Sequence, residues 1–107
     1  MNKRIIKITL PIFLFCTGWI SAGTTGKLSG TIKSKSDNGP LIGANVIIEN
    51  TDLGTATDLN GDYVILNIAP GKYNVIIRMI GHEVKKYENI RISIDKTTRL
   101  SATLDIE

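Results

Sequence analysis

Apolar residues recur at every second position along most of this chain, in short runs closed by Gly, Pro, Asn or Asp. Period-two alternation gives an extended strand one apolar and one polar face, and it cannot give a helix an apolar stripe. Leu28, Gly30 and Ile32 alternate with Ser29, Thr31 and Lys33. Ala44, Val46 and Ile48 alternate with Asn45, Ile47 and Glu49. Tyr73, Val75, Ile77 and Met79 share one face of a long run, with Asn74 and Arg78 on the other. Ile90, Ile92 and Ile94 form another such set, as do Leu100, Ala102, Leu104 and Ile106.

Three further segments complete the pattern. Residues 54–58 read as a short threonine-rich strand, and residues 83–87 as an edge strand whose Lys85 and Lys86 discourage pairing with other chains. Residues 63–68 are almost continuously apolar, the mark of a strand buried on both faces. Turn clusters separate these runs: Ser36 to Pro40, then Leu59, Asn60 and Gly61, then Ala69, Pro70 and Gly71. Seven or eight short strands at close spacing predict a β-sandwich or small barrel. Two-sided burial in the middle favours a two-sheet sandwich, with residues 63–68 and 73–80 as its central hairpin.

The first residues obey a different rule. Lys3, Arg4 and Lys7 precede an uncharged apolar run over residues 8–20, and Ser21, Ala22 and Gly23 follow it. Basic, apolar and small in that order is a secretory signal, with cleavage expected after Ala22 or Gly23. A membrane anchor is the competing reading, but the run falls short of the ~20 residues a span requires, and Pro11 interrupts it. Cys16 is not a lipidation site, because bulky Phe15 stands where a small residue is needed. The chain therefore divides into a signal peptide, residues 1–23, and one domain, residues 24–107.

That division alters the charge argument. The sequence has 13 Lys and Arg against 10 Asp and Glu, a formal net charge of +3. Lys3, Arg4 and Lys7 supply the excess, so the domain is neutral and lacks the basic face of a nucleic-acid binder. Its residues include no cysteine, so it must hold together by a hydrophobic core, close to the smallest size at which that suffices.

Between Gly39 and Gly81 three motifs stand in order: G-P-L-I-G-A-N-V, then G-T-A-T-D-L-N-G-D-Y, then A-P-G-K-Y. This stretch resembles the carboxypeptidase regulatory-like domain family. The residues that fit are Pro40, Leu41, Gly43, Ala44, Val46, Gly54, Thr55, Thr57, Asp58, Gly61, Tyr63, Pro70, Gly71, Tyr73 and Gly81. Ile68 replaces a frequent leucine and His82 a frequent tyrosine. The resemblance extends from Gly26 to Ile106. It implies an all-β, seven-stranded, prealbumin-like (transthyretin-like) Greek-key sandwich. In carboxypeptidases such a domain follows the catalytic domain and carries no active site. In bacteria a similar domain often follows the signal peptide of TonB-dependent outer-membrane receptors.

Each motif residue has a folding role to expect of it. Gly61 and Gly71 suit positive φ in hairpin turns. Pro70 presets φ for its turn, and Asp58 can accept from backbone N–H groups two or three residues on. Gly43 and Ala44 are small where a strand enters against its neighbour. Tyr63 and Tyr73 bring rings into the core while their hydroxyls reach its rim.

No reactive constellation accompanies them, so no catalytic residue, cofactor or metal is assigned. Asp58, Asn60 and Asp62 resemble the opening of a calcium loop, but Gly61 falls at position four and Ala69 at position twelve, where a Glu is required. His82 is the lone histidine, too few for a zinc site. Nucleophile-elbow and phosphate-loop signatures are absent.

The expectation is a non-catalytic exported module, periplasmic, outer-membrane-associated or secreted, that meets a protein partner such as a receptor or envelope component. Its contact with the membrane would come only through the signal or that partner. No TonB box, plug or barrel precedes Glu107, so it is expected to be free-standing or the front end of a truncated receptor. Two alternatives remain open: glycan or other ligand binding, with Tyr87 as the one candidate platform, and association with an exported peptidase.

Overall fold

The computed structural model describes residues 24–107; the proposed signal peptide lies outside them. The described chain is all-β, in two sheets. β1 (Gly26–Ser34) lies between β4 (Asp62–Ile68) on one side and β7 (Thr97–Arg99) and β8 (Ala102–Leu104) on the other. The second sheet runs β3 (Gly54–Ala56), β2 (Asn45–Ile48), β5 (Gly71–Arg78), β6 (Lys85–Ile92). The alternating residues face inward as their spacing predicts. Leu28, Ile32, Val46, Ile48, Ile68, Val75, Ile77 and Leu104 are fully buried between the sheets.

Two expectations about the middle of the chain are corrected. β4 and β5 do not form a hairpin: β4 pairs with β1, and β5 pairs with β2 and β6. A bulge near Asn67, whose φ is 60°, bends the end of β4, and the chain then crosses to the other sheet through Ala69 and Pro70. Tyr73 braces this crossing by donating its hydroxyl to the Ala69 carbonyl at 2.7 Å. Gly71 therefore opens a strand, with a φ of 156° near extended backbone, and occupies no hairpin turn. Nor is residues 63–68 a doubly buried run. β4 is an outer strand, and Val64 and Leu66 are each 53% exposed.

The eight strands agree with the seven or eight expected, but two boundaries fall elsewhere. The two predicted segments at residues 83–87 and 90–94 join as the single edge strand β6. The predicted last strand, from Leu100 to Ile106, shortens to β8, and an unpredicted strand, β7, forms just before it; both are parallel to β1. The break between them sits over Gly30. A Cβ there would collide with the Leu100 carbonyl oxygen and lie 2.6 Å from its carbon. Because Gly30 has none, the Leu100 peptide sinks onto β1. Its N–H donates to Ser29 O at 2.8 Å, and its carbonyl accepts the Tyr63 hydroxyl at 2.6 Å. Burial pushes the Tyr63 phenol above its ordinary pKa, so this donor stays protonated. Ser101 Oγ accepts from Thr31 N–H, taking the place of a strand carbonyl across the gap.

One end of the sandwich is locked by Thr57, a buried polar residue. Its hydroxyl accepts from Ala44 N–H at 2.9 Å and donates to the Leu41 carbonyl. Its backbone bonds the same loop in both directions, Thr57 N–H to Ala44 O and Gly43 N–H to Thr57 O.

Two stability outcomes follow. Thr57→Val leaves Ala44 N–H and Leu41 C=O buried without partners and should cost about 2–4 kcal/mol, read as a fall in thermal midpoint, while Thr57→Ser retains most of the stability. Gly30→Ala should cost at least about 3 kcal/mol, because both obstructing atoms belong to backbone; a denaturant titration checks it.

Candidate functional site

The motif residues do not form a reaction centre. Most of them build one end of the sandwich. Pro40, Gly43 and Ala44 shape the loop between β1 and β2, and Thr57, Asp58 and Gly61 shape the loop between β3 and β4. Asp58 Oδ1 accepts from Asn60 N–H at 2.9 Å and Asp62 N–H at 3.0 Å, closing the latter loop on itself. Gly61 has φ of 76°, and a Cβ on it would stand 2.6 Å from Ile32 O and 3.0 Å from Pro40 Cβ. Glycine there lets both loops press against β1, where Ile32 N–H donates to Gly61 O and Leu41 N–H donates to Ile32 O.

Gly81 turns the chain after β5 at this same end, since Arg78 pairs with Asn45 at the start of β2. Glu107 N–H donates to Gly81 O, and Ile106 bridges His82. Pro70, Gly71 and Tyr73 lie at the opposite end, where β1 begins. Gly54 starts the short edge strand β3. Tyr63 lies between the sheets, with its hydroxyl on Leu100.

These loops hold aliphatic side chains out into solvent. Ile42 is 50% exposed, Leu59 76%, Ile80 95%, and Val84 and Ile106 60% each. They come from four chain segments that the hydrogen bonds above tie together, so all five stand exposed at one end of the sandwich. Sequence reasoning passed over them. Ile106 reads as a core residue in the alternating pattern and Leu59 as a turn residue, whereas Ile80 falls in step with the polar Asn74 and Arg78.

The polar groups nearby are occupied by structural bonds. Asp62 Oδ1 accepts from Thr31 Oγ1, and Glu83 Oε2 accepts from Asp105 N–H at 2.9 Å. Among the described residues no group of three or more His, Cys, Asp or Glu is placed to hold a metal ion. His82 Nδ1 lies 3.1 Å from its neighbour Ile80 O. On the outer face of the second sheet, Asn74 donates to Glu49 at 3.0 Å and Lys86 Nζ stands 3.4 Å from it. The Asn74 bond, with the Lys86 ammonium, holds the Glu49 carboxyl below its ordinary pKa against a smaller opposing effect of burial. Tyr87 is half-buried against the core and lines an open groove of about 630 Å³ with Thr31, Lys33 and Thr103.

The chain is similar to several known proteins. It is 27% identical over 106 residues to TonB-dependent receptor P3 of Formosa agariphila, covering 99% of this chain and 10% of that receptor. It thus spans about a tenth of that relative's length. Among solved structures, a chain of a type II cohesin–X-dockerin complex from Acetivibrio cellulolyticus superposes with a TM-score of 0.61 at 28% identity, covering 72% of this chain and 52% of that one. The Bacillus anthracis TIE protein superposes with a TM-score of 0.59 at 21% identity over 78% of this chain and 17% of that one, a likeness of fold alone. The family match covers residues 28–106, from the first buried leucine to the last exposed isoleucine. With all three motifs inside that span, the chain belongs to the CarboxypepD_reg-like domain family.

Proposed function

We propose that the chain is a non-catalytic, exported accessory module that works with a TonB-dependent receptor through protein–protein contact at the loop end of its sandwich. The observation that carries this reading is the exposure of five aliphatic side chains, Ile42, Leu59, Ile80, Val84 and Ile106, at one end of the sandwich. Apolar side chains gathered in solvent are the kind of surface that marks an interaction site. The family motifs spend their residues on holding that surface in place. The similarity to a TonB-dependent receptor over nearly the whole chain supplies the kind of partner, and a matching chain within a cohesin–X-dockerin complex accords with service in assemblies. The place proposed for the module is the one that an N-terminal extension of such a receptor occupies, reached by export through residues 1–23, in the periplasm or at the outer membrane.

The non-catalytic reading rests on the chemistry of the side chains described above. Asp58, Asp62 and Glu83 accept structural hydrogen bonds, and the one hydroxyl–carboxylate pair among the described residues, Thr31 with Asp62, is a cross-strand contact between β1 and β4. Peptide hydrolysis by the purified chain would contradict it.

Photo-crosslinking in the organism that encodes the chain tests the contact. A benzoylphenylalanine at Leu59 or Ile80 should yield adducts with a TonB-dependent receptor, identified by mass spectrometry, and one at Glu88 on the far edge should not. Equal adducts at all three positions, or no receptor adduct at any, would contradict the proposal.

A further inference from the structure

The outer strand β4 offers more than an unexpected position. It pairs with β1 on one side only. Along a strand, successive residues direct their backbone N–H and C=O to opposite sides. Gly61 O accepts from Ile32 N–H, so Tyr63 and Ile65 face β1, and Val64 and Leu66 face away. Asp62, in step with Val64, shows the direction: its N–H and C=O bond to Asp58, on the side away from β1. Among the described residues no backbone group pairs with Val64 or Leu66 on that side.

Edge strands are ordinarily guarded by charge, shortness, proline or cover. β3 has only three residues. β6 carries Lys85, Lys86, Glu88 and Arg91, and Thr98 of β7 covers it by donating to Arg91 O. β4 reads D-Y-V-I-L-N-I, with no charge after Asp62 and no proline. The Asp58 turn covers its edge at Asp62, and the bulge at Asn67 ends it after Leu66, so the open edge is the stretch around Val64 and Leu66.

We infer that β4 pairs antiparallel with β4 of a second copy of this chain, about a two-fold axis at Ile65, so that Val64 of one copy stands opposite Leu66 of the other. The edge is complementary to itself, as an isologous contact requires. Apolar Val64 meets apolar Leu66, and both are half-exposed in the single chain. The lone charge, Asp62, falls opposite Ile68, and the two Asp62 residues stand about 20 Å apart at ~3.3 Å per residue. A partner selected by charge would need charged groups along this edge, and residues 63–68 have none. The contact buries little beyond these side chains, well below the roughly 800 Å² per partner of a standard stable interface. The dimer is therefore weak and depends on concentration. It uses a strand edge, not the loop end assigned to the receptor, so the two readings stand or fall separately.

Sedimentation velocity on the protein expressed from its full sequence, in the form recovered after export, reads the outcome. Between ~10 µM and ~1 mM, affinities typical of weak contacts, the molar mass should rise towards twice that of the monomer. Val64→Glu and Leu66→Lys should each weaken association at least tenfold, and Glu88→Lys should leave it unchanged. Mixing V64E with L66K should restore association, because the register sets those positions opposite each other. Amide exchange on the unsubstituted chain provides a second readout: Val64 and Leu66 N–H should gain protection as concentration rises. A monomer throughout that range, a dimer insensitive to V64E and L66K, no rescue on mixing, or amide protection at β6 instead would each overturn the inference.

Discussion

The hydroxyl of Thr57 holds together the part of the molecule on which the rest depends. It is buried, it accepts from Ala44 N–H and it donates to Leu41 C=O. One side chain thereby satisfies two backbone groups in a loop that passes from one sheet to the other. Such a loop has no neighbouring strand to satisfy those groups, and buried unpaired backbone is expensive. Once the loop is pinned, Ile42 has no way into the core and stays exposed. Asp58 and Gly61 complete the same corner by closing the adjoining turn against β1. The residues that define the family motif act on the fold, and several residues between them stay exposed at the loop end.

The two outer strands illustrate how a small sandwich distributes risk. β6 is long, and it is shielded by charge and by a hydrogen bond from β7. β4 is nearly as long and nearly bare. The same physics that demands lysines on one edge makes their absence on the other informative. Loop end and strand edge adjoin at Asp62, whose open side the Asp58 turn already occupies.

Much of the architecture was legible in the sequence because alternation is a local property. Leu28 and Ile32, Val46 and Ile48, Val75 and Ile77 face the core as their spacing requires. Lys85 and Lys86 do lie on an edge strand. What failed depended on which strands meet. An apolar run such as residues 63–68 looks the same whether it is covered on two faces or lies at an open edge, and the crossing at Ala69 and Pro70 looks like a hairpin until Asn67 is seen to bend the strand. Gly30 gave a usable signal, since glycine inside a strand often marks close approach of another backbone, but it named no partner; Leu100 lies 70 residues further on. The exposed surface at the loop end was hidden for the same reason. Ile106 continues the apolar set of Leu100, Ala102 and Leu104, and only tertiary placement separates it from the core.

Motif residues build the loop end, and the proposed contact is made by its exposed aliphatics. Amide chemical-shift mapping of the labelled protein, titrated with a TonB-dependent receptor from the same organism, tests that contact. Saturable shifts are expected at Ile42, Leu59, Ile80, Val84 and Ile106 with the buried strands unmoved. Shifts confined to the opposite end, around Asn50 and Ile94, or no shifts at saturating receptor, would contradict it.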